Sequence, residues 1–274
     1  MFKIVVDSGC DLSKEIKKEN MEIIPLTLQL EDKDYIDDAN LNIDTYIQAM
    51  HKSQNTRTAA PSPELYMDAF KGPESVFAIT LSSKLSGSFN SAMLAKQMIF
   101  DEIGEKFIHV IDSLSASVGQ TVIALKLGEF IENNFSDIEI VEKINKFMSE
   151  QQTFIILERY DNLVKTGRIN PAIAKIASIL SIKPVLRAES GEIKMMDKAR
   201  GFNKAVTKLV GAIKNTNLNF EERILAISHV KCLERATAVK DEVIKHMKFK
   251  KIVIVETAGL SSTYANEQGV IVSF

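Results

Sequence analysis

Short apolar runs that end in polar tips recur through the first half of the chain. Ile4-Val5-Val6 ends in Asp7-Ser8, Phe77-Ala78-Ile79-Thr80-Leu81 in Ser82-Ser83, and Val110-Ile111 in Asp112-Ser113. Runs of this length bounded by turn residues predict buried parallel strands. The expected positions are Lys3–Val6, Ile23–Leu30, Val76–Leu81 and Phe107–Ile111. Helical patterns are expected at Ser13–Glu19, Asp44–His51, Pro63–Phe70, Ser88–Ile103, Gln120–Asn133 and Glu139–Ser149. In the last of these, Ile140, Val141, Ile144, Phe147 and Met148 fall on one face. Such alternation predicts a three-layer α/β domain with a parallel sheet over residues 1–150. Ligands of such sheets sit at the carboxyl ends of the strands, where this chain gathers hydroxyls and carboxylates.

The pattern changes near residue 150. Phe154–Leu157 reads as a strand, and Asn170-Pro171 opens a helix with Asn at the N-cap and Pro at the first helical position. Ile173, Ile176, Ala177 and Leu180 supply that helix with an apolar face. Lys183-Pro184-Val185-Leu186 is extended, Glu189-Ser190-Gly191 turns, and Glu192–Asp197 alternates, which together predict a hairpin. Helices at Phe202–Ile213 and Leu233–Met247 alternate with strands at Ile224–Val230 and Lys251–Val255, and Gly269–Phe274 is a final strand. Residues 151–274 are therefore expected to form an α+β domain with a mixed sheet.

Composition narrows the function classes. Hydrophobic residues make up 45% of the chain and charged ones 26%, with a net charge of −2. This is an ordinary globular balance. No basic stripe marks a nucleic-acid surface. No apolar run is long enough to cross a bilayer, and Lys3 and Asp7 interrupt the opening run, so neither stable membrane insertion nor a signal peptide is expected. Cys10 and Cys232 form no metal motif and suit a reducing cytoplasm.

Three loops carry candidate chemistry. Leu85-Ser86-Gly87-Ser88 lies between a strand tipped by Ser82-Ser83 and a helix. There Gly87 permits close backbone approach, Ser88 can cap the helix, and free amides with the Ser86 hydroxyl can face an anion. An ordinary N-cap explains the same residues. In Arg57–Pro63, Ser62 can cap and Pro63 can start a helix, leaving Thr58 for a ligand. Arg168 precedes the Asn170 helix and Arg200 follows the hairpin. Each is either a surface charge or a fork for a phosphate or carboxylate. Asp37-Asp38 reads as a solvated turn rather than a Mg²⁺ pair. His51, His109, His229 and His246 fall in no catalytic motif. No catalytic residue, metal ligand or cofactor is assigned.

Taken in order, these segments resemble the DegV family of fatty-acid-binding proteins. The resemblance rests on Ile4-Val5-Val6-Asp7-Ser8 with Asp11-Leu12, Pro25-Leu26, Tyr35-x-Asp37, and Thr58 with Pro61-Ser62. It continues through Ser82-Ser83-x-Leu85-Ser86-Gly87-Ser88-Phe89, Val110-Ile111-Asp112-Ser113, and Leu157-Glu158-Arg159-Tyr160 to Gly167-Arg168-Ile169. Ile182–Leu186, Gly191-x-Ile193 and Lys198-Ala199-Arg200 complete it. Ala59, Thr166 and the Ala265–Gly269 loop depart from the family pattern, the last standing where members carry His-Thr-Gly-Pro-Gly.

The resemblance implies two domains with a long-chain fatty acid buried between them. It implies that Thr58 and Ser86 hold the carboxylate, with Ser83, Gly87 and Ser88 beside them. It also implies a separate ATP-dependent fatty-acid kinase as partner, docked through Arg168 and Arg200. The Ala172–Leu180 helix could wall the tunnel. Two alternatives are a serine-dependent lipid or acyl-ester hydrolase using Ser86, with His229 as a possible base, and a lipid-sensing regulatory protein.

Overall fold

The computed structural model describes residues 1–274. Three sheets organise it. The first is parallel throughout, in the order β2 (Met21–Ile24), β1 (Phe2–Asp7), β6 (Ser75–Thr80), β7 (Ile108–Asp112). Ile4, Val5 and Val6 are fully buried. Ile4 and Val6 pack toward α4 (Val118–Glu132) and α5 (Asp137–Glu150). Val5 packs the other way, against Tyr66 and Phe70 of α2 (Pro63–Phe70) and Ala92, Ala95 and Ile99 of α3 (Ser88–Ile103). Helices on both faces explain why this strand is continuously apolar. The apolar face expected on α5 is present, and a reciprocal Ser136–Glu139 capping box starts that helix.

The second sheet is mixed. Its order is β10 (Glu192–Arg200), β9 (Ile182–Glu189), β8 (Thr153–Ile156), β13 (Val270–Ser273), β11 (Ile224–His229), β12 (Lys251–Glu256). Only β11 and β12 run parallel. The expected hairpin is β9–β10, and α8 (Phe202–Lys214) and α9 (Leu233–Ile244) cover one face of the sheet. The fold is thus α/β with one parallel and one mixed sheet.

Two expectations need correction, and one element was not expected. Ile23–Leu30 is not one strand. Pro25 has no N–H for a ladder, and the chain breaks there into β2 and β3 (Thr27–Leu30). The latter joins β4 (Lys33–Ile36) and β5 (Thr56–Ala59) in a small antiparallel sheet. Ser13–Glu19 forms turns, because its apolar content is a single half-buried Ile16 that gives a helix no face to bury. A short helix, α10 (Gly259–Ala265), stands in a segment for which the sequence predicts no element. Leu28 of the small sheet packs in one cluster with Leu260 of α10 and Ile155 and Ile271 of the mixed sheet. No helix is long and apolar enough to cross a membrane.

Candidate functional site

A narrow cavity opens between the carboxyl rim of the parallel sheet and the inner face of the mixed sheet. Its free space is about 660 Å³ when the open solvent at its mouth is counted, and 12 of its 16 lining residues are hydrophobic. Leu26, Leu81, Ala116, Ile155, Leu157, Ile271 and Leu260 supply the apolar wall. Thr58, Arg168 and Tyr264 stand at the polar end, and Ser117 and Ser261 interrupt the wall. Two open grooves meet the cavity. One is wholly polar and runs along Arg57, Thr58, Lys165 and Arg168. The other lies beside α7 (Pro171–Ala177) and shares Leu85, Arg168 and Ile193 with the cavity.

Thr58 sits on β5, where the ladder with β3 fixes it opposite Leu28. Its hydroxyl shares a 2.8 Å hydrogen bond with the Tyr264 hydroxyl. Arg168 bends back over the cavity mouth. Its Nε donates to the Leu85 carbonyl at 3.2 Å and its Nη1 to the Thr166 carbonyl at 2.7 Å. The structure therefore brings Thr58, Arg168 and the Leu85 end of the serine loop together. Arg200 is exposed at the end of β10, outside this group. Ser83 is held through its amide, which donates to Asp112 Oδ1 at 3.0 Å, and neither it nor Ser86, Gly87 or Ser88 lines the cavity, which the serine loop meets through Leu85.

The serine loop differs in detail from the expectation. Ser88 does not cap α3 but is its first residue. Ser86 Oγ accepts the Ser88 amide at 3.2 Å, so one amide expected to be free for an anion is occupied. The Ser86 and Ser88 hydroxyls bond each other at 2.9 Å. Gly87 has φ −75°, and a Cβ there meets only Ala60 Cβ at 3.6 Å, so the protein fold itself does not require glycine. Ser62 occupies the N-cap of α2 but makes no capping hydrogen bond. Asn170 does cap α7, accepting the Ala172 amide at 2.9 Å. That helix ends at Ala177 and leaves Leu180 87% exposed, so its wall contribution is to the open groove, through Ile173 and Ile176.

Buried carboxylates anchor the site from behind. Asp37 is not a solvated turn residue. It accepts the Gly259 and Leu260 amides at 2.8 and 2.9 Å and so fixes the start of α10. Asp11 accepts the Ala258 amide at 2.8 Å and the Ser117 hydroxyl at 2.5 Å. Asp7 accepts the Gly9 amide, the Leu81 amide and Gln120 Nε2. Burial pushes the carboxyls of Asp7 and Asp37 up to about 6 and that of Asp11 up to about 7, against the hydrogen bonds that favour their ionised forms.

Tyr264, Ser261 and Leu260 were not expected at the site. Their signal was the i, i+4 pair Leu260–Tyr264 after Gly259, which reads as one helical face. A Ser86 nucleophile finds no base. Its hydroxyl partner is Ser88, and His229 Nδ1 already faces the Cys232 amide at 3.3 Å. His51 is exposed and pairs at the surface with Glu267 of the C-terminal loop at 2.8 Å.

Comparisons with known proteins point one way. A DegV domain-containing protein of Streptococcus gordonii is 36% identical, with 100% of this chain and 98% of that protein covered. The crystal structure of a DegV family protein from Ruminococcus gnavus, described with vaccenic acid, superposes with a TM-score of 0.95 at 37% identity, covering 100% and 99% of the two chains. The Fatty Acid Kinase (Fak) B3 protein of Streptococcus pneumoniae, loaded with linoleic acid, gives a TM-score of 0.92 at 31% identity, covering 100% and 98%. The family model described as "Uncharacterised protein, DegV family" matches residues 1–274, and the chain belongs to the DegV family.

Proposed function

We propose that this protein is a cytoplasmic carrier that binds a long-chain fatty acid and presents it to a separate fatty-acid kinase, without turning it over itself. The observation that carries the reading is the cavity, an apolar channel that ends at neutral hydroxyls and one guanidinium. A methylene leaving water gains about 0.8 kcal/mol, so a chain of about sixteen carbons gains on the order of 12 kcal/mol before ordering costs. Affinity then resides in the wall, and orientation in the polar end. Thr58, Ser86 and Tyr264 hold the carboxylate in this reading, with Arg168 beside them and Ser83, Gly87 and Ser88 shaping the loop. Relatives described with vaccenic and linoleic acid support the ligand class, and the Fak B3 neighbour supports the kinase.

The ligand lies between a domain of residues 1–150 and one of 151–274. A kinase reaches the head group from the polar groove of Arg57, Lys165 and Arg168. Arg200, exposed and with a side chain that makes no hydrogen bond, is the docking residue that can be changed without disturbing the cavity. The testing experiment is extraction of the denatured protein with organic solvent, followed by mass spectrometry. A near-stoichiometric long-chain fatty acid is expected. An extract without lipid, together with no uptake of added vaccenic acid, refutes the reading.

A further inference from the structure

One sheet edge beside the polar end of the cavity is left unpaired. β5 is an edge strand of four residues, bonded only to β3. The Glu31 amide donates to the Asn55 carbonyl at 3.1 Å, which sets the phase of that ladder. In an antiparallel pair, hydrogen-bonded and non-hydrogen-bonded positions alternate. Arg57 and Ala59 therefore turn their backbone groups toward β3, and Thr56 and Thr58 turn theirs outward. No protein group bonds the amides or carbonyls of Thr56 and Thr58. Glu31 pins the chain just before them, accepting the Gln54 and Asn55 amides at 2.6 and 3.0 Å.

The polar groove runs along this edge. Successive side chains of a strand point to opposite faces, yet all residues from Gln54 to Thr58 line the groove, so it follows the backbone rather than one face. The Lys165–Arg168 turn forms the opposite bank. Arg57, Lys165 and Arg168 supply the charge, and no carboxylate lines the groove. None of the three pairs with an acid. Lys165 Nζ donates to the Gln54 carbonyl at 3.2 Å, Arg168 donates to the Leu85 and Thr166 carbonyls, and the exposed Arg57 side chain makes no hydrogen bond. An edge that alternates donor and acceptor suits another strand. A bare phosphate would use the donors alone and would be repelled by the carbonyls. A second copy of β5 would set Arg57 against like charge.

We propose that an extended, acid-rich segment of the partner kinase adds to β5 as a further strand, its carboxylates meeting Arg57, Lys165 and Arg168. The carrier reading supplies the kinase as the owner of that segment. Main-chain bonds to Thr56 and Thr58 give the segment its register, and the three cations select its charge. The groove ends at Thr58, which also lines the cavity, so the added strand leads to the head group and orients the kinase there.

The probe is a blocked peptide that alternates glutamate and valine, titrated into the isotope-labelled full chain and followed by nuclear magnetic resonance. Saturable binding is expected, with shifts concentrated at Thr56–Thr58 and Lys165–Arg168. A peptide with lysine in place of glutamate is expected not to bind. N-methylation of one alternate set of peptide amides is expected to abolish binding, and methylation of the other set to spare it. The protein carrying Arg57→Glu and Lys165→Glu is expected to bind the acidic peptide roughly tenfold more weakly or worse. No saturable binding, equal affinity for the two methylated peptides, or displacement of the peptide by inorganic phosphate overturns the proposal. The peptide changes need no altered protein, so the test does not depend on a variant that folds. Vaccenate is titrated into the same sample. Peptide binding without vaccenate uptake refutes the carrier reading alone, and vaccenate uptake without peptide binding refutes strand addition alone.

Discussion

At the residue scale, the polar end of the cavity combines neutral hydroxyls with one guanidinium, and their partners are already in place. Tyr264 and Thr58 bond each other at 2.8 Å, so each holds the other's rotamer before a carboxylate arrives. If Tyr264 holds the carboxylate as proposed, removing its hydroxyl costs one hydrogen bond to a charged ligand, and it also frees Thr58 from its partner. Tyr264→Phe is therefore expected to weaken vaccenate binding by about 1.5–3 kcal/mol, or roughly tenfold to a hundredfold, in equilibrium titrations. Its thermal midpoint is expected to stay within a few degrees of the native value, because the half-buried ring keeps its packing. Replacing Thr58 by Val and Ser86 by Ala together is expected to weaken binding further at unchanged fold, as judged by circular dichroism. Unchanged affinity in that double variant removes both residues from the head-group site.

At the element scale, α10 decides whether those hydroxyls meet. It has seven residues, too few to persist alone, and it is held by what surrounds it. Asp37 takes its first two amides, Asp11 takes the amide before them, and Leu260 packs among Leu28 and Ile271. Gly259 makes the close approach possible, since a Cβ there lies 2.6 Å from Asp37 Oδ1 and 2.6 Å from Leu28 Cδ1. Gly259→Ala is expected to push α10 off its seat. A loss of about 1–3 kcal/mol of stability in urea unfolding, with a fall in ligand affinity through Tyr264, checks this. The same element shows what the chain reveals locally and what it does not. The β1, β6 and β7 strands and the α2 and α3 helices were legible because their apolar period is set by neighbours on both faces of one sheet. Ser86 and Arg168 were legible as loop residues before helices, whereas Thr58, read the same way, lies on β5 because its ladder partner β3 is remote in sequence. The α10 helix was not, because its formation depends on carboxylates 222 and 247 residues away in sequence. Likewise Asp37 read as a surface turn, since nothing in Tyr35-Ile36-Asp37-Asp38 announces that α10 will cover it.

At the scale of the whole molecule, those buried acids make stability depend on pH. Asp7, Asp11 and Asp37 are each held above the ordinary carboxyl range by burial, so the folded protein binds protons that the unfolded chain releases. For an acid raised in this way, the contribution is full below its unfolded value and lost as pH rises through its folded value. For Asp11 the window runs from the ordinary 3.8 to about 7. Within it, stability falls with rising pH by at most about 1.4 kcal/mol per unit for each such group. Surface carboxylates paired with lysine or arginine, such as Glu129 and Glu158, are held below their ordinary values and tilt the curve the other way at lower pH. A single native curve therefore mixes both signs, and a difference between proteins separates them. Asp11→Asn keeps an acceptor for the Ala258 amide and cannot ionise. As pH rises from 5 to 7, the native protein is expected to lose stability relative to Asp11→Asn by on the order of 1–2 kcal/mol, read as converging or crossing urea midpoints. Parallel midpoints across that range would mean that Asp11 is ionised throughout, and that its two hydrogen-bond donors outweigh its burial. Because Asp11 joins the first loop of the parallel sheet to the segment carrying Tyr264, the same titration is expected to lower affinity for vaccenate as well as stability.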